Sequence, residues 1–116
     1  MSRLQTLRVW AAAALMIAAL AAFPALAAST QAFTGKVSDT MCGAKHKEGV
    51  PPAECVRACV AHGAKYALVV GDKVYTLDTS SESQKNELNK LAWENAKVTG
   101  TANGDTIAVK SVAPAR

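Results

Sequence analysis

A small, mainly β barrel of five strands, with one helix between strands three and four and a short cysteine-bearing helix between strands one and two, is the fold this sequence predicts. Three observations predict it. Five short segments carry strand character, most of them with apolar residues at every second position. Gly71-Asp72 and Asn103-Gly104-Asp105 are tight-turn signals, each joining two of those segments into a hairpin. The longest stretch with helical spacing falls after the third strand and before the fourth.

The elements follow in order. Gln31 to Ser38 sets Phe33, Gly35 and Val37 on one face against Thr34, Lys36 and Ser38, which is strand alternation. Lys65 to Val70 is apolar on both faces, as expected of a strand covered on both sides, and Lys73 to Leu77 follows across Gly71-Asp72. Thr79 before Glu82, or Ser81 before Gln84, offers a capping box for a helix whose apolar residues Leu88, Leu91 and Ala92 share one face. Ala96 to Ala102 alternates again, and Thr106 to Val112 returns after the turn with Ile107 and Val109 inward. This order, with its helix between strands three and four, is that of an OB-like barrel; a five-stranded open sheet with two helices is the alternative. Gly35 and Gly100, inside strands, suit the sharp coiling of a small barrel.

The first 27 residues read as a signal peptide. Arg3 and Arg8 precede a 15-residue apolar run, which ends in Pro24-Ala25-Leu26-Ala27, an A-x-A cleavage pattern. That run is shorter than the roughly 20 residues of a membrane span. Residues 28–116 then form one domain, periplasmic or secreted, with no stable membrane anchor after cleavage. It carries eleven basic and nine acidic residues, a net charge of +2. The charge is too small, and the aromatics too few, for a nucleic-acid groove. Phe33, Tyr66, Tyr75 and Trp93 are read instead as packing residues.

All three cysteines and both histidines fall within 21 positions, from Cys42 to His62, in the connection between strands one and two. Pro51-Pro52 suits a helix entry and Gly63 a stop, so Ala53 to His62 reads as a helix of about two and a half turns. Cys55, Cys59 and His62, at i, i+4 and i+7, make one stripe facing the body of the protein. Cys42 and His46 lie upstream in an irregular arm able to fold back over it.

Three readings of this segment stay open. The first is a non-enzymatic structural or binding module pinned by a disulfide, because exported thiols meet an oxidising environment. Cys55 and Cys59 sit on one helix with their Cβ atoms pointing the same way, so the bridge is expected from Cys42 to Cys59, or second to Cys55. Closing such a loop, of about 15 residues, stabilises by roughly 3 kcal/mol in the chain-entropy model. No cofactor is expected on this reading. The second is a zinc or copper site: Cys42, Cys55, Cys59 and one of His46 or His62 make a Cys3His set sound for zinc, and Met41 would soften it toward Cu(I). The third is a thiol redox protein, without the usual C-x2-C spacing. Hydrolytic and phosphate-binding motifs do not occur, and the acids are scattered, so no catalytic residue is assigned.

The runs TGKVSDTMCGAKH, AECVRACVAHGAKYALVVGDKVYTL, KVTG and GDTIAVKSV together span most of residues 28–116. With their MCGxKH and CxxxC elements they resemble a family of small exported bacterial proteins of uncharacterised activity. The resemblance implies export, a single β-rich domain and a grouping of the cysteines; it implies no activity and no partner. Trp93-Glu94-Asn95 departs from it, standing where similar sequences have a glycine turn.

Overall fold

The computed structural model describes residues 29–115, so the signal-peptide reading of residues 1–27 lies outside the described residues. Seven elements follow one another: β1 (Gln31–Asp39), α1 (Pro52–Ala61), β2 (Tyr66–Val70), β3 (Lys73–Asp78), α2 (Glu82–Lys90), β4 (Asn95–Asn103) and β5 (Thr106–Pro114). The strands close in the order β1, β2, β3, β5, β4 and back to β1, which decides for the OB-like barrel over the open sheet. Four of the pairings are antiparallel; β3 and β5 run parallel, Leu77 opposite Ile107. That one parallel pairing follows from α2, which lifts the chain away after β3 so that β4 lands against β1 and β5 returns beside β3.

Closure of so small a ring forces two backbones together, and the strand glycines sit there. A Cβ on Gly35 would lie 2.2 Å from the Val69 carbonyl oxygen, and one on Gly100 would lie 2.2 Å from that of Ala108. Gly100 also marks a shift of register between β4 and β5, so the strand bends at its one residue without a side chain. Because the obstacle is backbone, it cannot rotate away. Gly100→Ala is expected to cost about 1 to 3 kcal/mol, lowering the melting temperature by at least about 4 °C in a circular-dichroism melt. An unchanged melting temperature would show that the ring closes more loosely than these distances.

The barrel is filled by Val37, Leu68, Leu77, Val98 and Ile107, with Leu88 of α2 and Val56 of α1 also fully buried in the same cluster. Ser81 caps α2, its hydroxyl accepting from the Gln84 N–H at 3.4 Å. The return half of the capping box is not made: Ser81 N–H donates to Thr79 Oγ1, while Gln84 bonds the Thr79 hydroxyl and the Lys110 carbonyl. Leu91 and Ala92 are buried as expected, but beyond the helix, which ends at Lys90; Ala92 bridges Val37 of β1. Trp93 then turns the chain with φ +59°, the left-handed region that glycine favours, and its N–H donates to the Val37 carbonyl at 2.7 Å.

Candidate metal centre

The site is built where β1 ends, because Asp39 and Ser38 wind the following residues back on themselves. Asp39 is fully buried, and its Oδ1 accepts the N–H groups of Met41 and Cys42, each at 2.9 Å. This is the turn that a short acidic side chain makes with the backbone just after it. The Asp39 carbonyl accepts from Gly43 N–H, and the Ser38 hydroxyl donates to the Gly43 carbonyl at 2.5 Å. Lys65 N–H donates to Thr40 Oγ1, tying the same loop to the start of β2. Four bonds within residues 38–43 and one to Lys65 thus set Cys42.

The second wall is α1. Pro51 and Pro52 start it, Val56 anchors it in the core, and Cys55 and Cys59, one turn apart, face the Cys42 loop. Cys42 Sγ lies 3.6 Å from Cys55 Sγ and 3.8 Å from Cys59 Sγ, and all three sulfurs are within 4.8 Å of one another. A disulfide requires about 2.05 Å, so neither the Cys42–Cys59 nor the Cys42–Cys55 pair stands at bonding distance here, and the three cysteines are unbridged in this arrangement. Cys42 stands within reach of both helix cysteines and does not choose between them.

The histidines separate. His62 caps the end of α1, exposed, with its backbone already out of helical geometry, so the i+7 position never joins the stripe. Met41 is 70% exposed. His46 does join: one of its ring nitrogens, Cys42 Sγ and an Asp39 carboxylate oxygen lie within 4.8 Å of one another. Its ring is packed edge-on against Trp93 with centroids 4.3 Å apart, and Lys36 Nζ sits 4.7 Å from the other ring's centre. Trp93 and Asp39 therefore belong to the site, and neither was a sequence candidate. Asp39 had a signal, since the alternation Phe33, Gly35, Val37 puts residue 39 on the same inward face.

Electrostatically, the thiol cluster holds its protons. Partial burial, then hydrogen bonds to Cys55 and Cys59, then the negative charge of Asp39, push the Cys42 thiol up to about 12. Burial likewise raises Cys59, against a hydrogen bond from Cys42 that lowers it. A bound cation reverses this sign, since a coordinating thiol is deprotonated outright. The raised Cys42 thiol contributes stability that is complete below its unfolded value near 9 and is lost as pH rises toward 12. The reduced protein is therefore expected to weaken above about pH 9 in denaturant titrations, and Cys42→Ser to flatten that decline. Equal pH dependence in both proteins would contradict the clustering.

No described helix is long and apolar enough to cross a membrane. Compared with family models, with curated proteins and with solved structures, the chain finds no match.

Proposed function

We propose that the protein is an exported, non-enzymatic metal-binding domain that holds a thiophilic d10 cation, zinc(II) or copper(I), on Cys42, Cys55 and Cys59. One observation carries the reading: two segments of chain, each built by its own local bonds, converge three sulfurs with Cys42 edges of 3.6 and 3.8 Å. A zinc–sulfur bond of about 2.3 Å sets tetrahedral sulfur–sulfur edges of about 3.8 Å, so the thiols stand near coordination spacing before any ion arrives. Thiolates are the donors that soft and borderline metals select. The short barrel gains from it as well, because a small domain has little core to spare and metal binding adds directly to folding free energy.

Anaerobic titration of the reduced protein with Co(II) as a zinc substitute tests the reading. Thiolate-to-cobalt charge-transfer absorption that zinc then bleaches is the expected result; no absorption, with no metal retained after desalting, is the contrary one.

A second reading, the disulfide-pinned module, is favoured by the same proximity. Cys42 needs to move its sulfur by less than about 2 Å to bond either partner. Two thiols would give one S–S bond, two protons and two electrons, the electrons passing to an exchanging disulfide in the oxidising compartment. One free thiol per chain in the protein as exported, and no metal, distinguishes it.

A further inference from the structure

Beside the three sulfurs lies a second group of donors that the thiolate centre does not use. Asp39 Oδ2 and His46 Nδ1 are both buried, and neither has a hydrogen-bond partner among the described residues. The hydrogen bonds around them fix what each atom offers. The Ser38 hydroxyl has one hydrogen and gives it to the Gly43 carbonyl, which can only accept. Its 3.2 Å contact with His46 Nε2 must then be an N–H donated by the ring. In the neutral ring Nε2 then carries the proton, and Nδ1 presents a lone pair. Asp39 has spent Oδ1 on two backbone N–H groups, leaving Oδ2 as a second bare acceptor.

Two buried acceptors without a donor are costly, since an unsatisfied buried polar group loses its water and gains nothing for it. Two acceptors cannot satisfy each other. What both lack is an electropositive partner, and the third group beside them, Cys42, is also a metal ligand.

We propose that Asp39, Cys42 and His46 hold a second divalent cation of the zinc class, with the Cys42 thiolate bridging it to the ion on Cys55 and Cys59. The proposal rests on the thiolate reading above. Cys42 is the one residue common to both sets of donors, which is the position a bridging ligand must occupy. Charge supports two ions over one: three thiolates and one carboxylate carry four negative charges, which two dications neutralise and one leaves half unpaired. An uncompensated charge in a partly buried cluster is the expensive outcome. The mixed oxygen, nitrogen and sulfur donors select zinc over copper(I) at this second position. The Ser38 hydroxyl and the Trp93 face orient the imidazole from outside, as the outer partners of a metal-bound histidine do.

The test is zinc stoichiometry by native mass spectrometry and competition titration of the reduced protein, for wild type, Asp39→Asn, His46→Gln and Cys55→Ser. Asparagine keeps the Oδ1 acceptor that winds the Cys42 turn, and the glutamine variant guards against a fold defect in the first. Two zinc ions in wild type are expected, with one left in Asp39→Asn and in His46→Gln and the second ion weakened at least tenfold. Cys55→Ser should impair the other ion instead. One zinc in wild type with both variants unchanged overturns the second site and leaves the thiolate centre standing. One zinc that His46→Gln weakens overturns it too, in favour of a single Cys3His ion. No zinc in any of the four refutes the thiolate centre itself, and the bridged pair with it.

Discussion

Cys42→Ser is expected to lower affinity for the first metal ion by at least about a hundredfold, more than any other single change in the loop. Structural zinc sites bind with about 10 to 16 kcal/mol over four ligands, so one ligand accounts for roughly 3 kcal/mol, or about two decades. Cys42 exceeds this average share for a geometric reason. It stands within 3.6 and 3.8 Å of both other sulfurs, whereas Cys55 and Cys59 share one helix and depend on Cys42 to close the set. His62→Ala, exposed at the end of α1, is expected to change nothing. A chelator competition that ranks Cys42→Ser with His62→Ala would remove the basis for a metal centre.

Leu68→Ala is expected to destabilise the fold by about 2 to 5 kcal/mol, a large part of the roughly 5 to 15 kcal/mol that holds a typical domain. Leu68 is fully buried in the middle of β2, opposite Val37 on one neighbouring strand and Tyr75 on the other. The rigid ring around it cannot collapse into the space an alanine leaves. Urea unfolding should show a lower midpoint with an unchanged slope. A loss below about 1 kcal/mol would mean that the barrel interior is less completely packed than its burial indicates.

The barrel was legible because its signals are local and agree with one another. Alternation in β1 and β4, the Gly71-Asp72 and Asn103-Gly104-Asp105 turns, and the capping serine before α2 each specify their own element. Strand order then leaves few ways to close. The ends of elements were less legible, for a tertiary reason: Leu91 and Ala92 continue the helical spacing, but Ala92 is drawn into a bridge with Val37 and Trp93 into a left-handed turn. A tryptophan in the left-handed region gives no local sign of the turn, and nothing in the helical spacing shows that its ring packs against His46.

The site divides in the same way. Cys55 and Cys59 were placed by helical period alone, and Cys42 by elimination. The period carried His62 along with them, and failed there because α1 ends at Ala61, one residue before it could matter. Ser38 and Asp39 escaped because a serine and an aspartate at a strand end read as solvated polar residues. Both are fully buried, and the reason lies in the loop they themselves wind over the strand. Polar residues that build their own cover leave no hydrophobic signature.

Convergence of Cys42, Cys55 and Cys59 on one ion is read out by counting the sulfurs bound to it. X-ray absorption at the zinc edge, on reduced protein loaded with one equivalent, should give three sulfur neighbours at about 2.3 Å. A shell of nitrogen and oxygen alone, or zinc that stays in free solution, would contradict it.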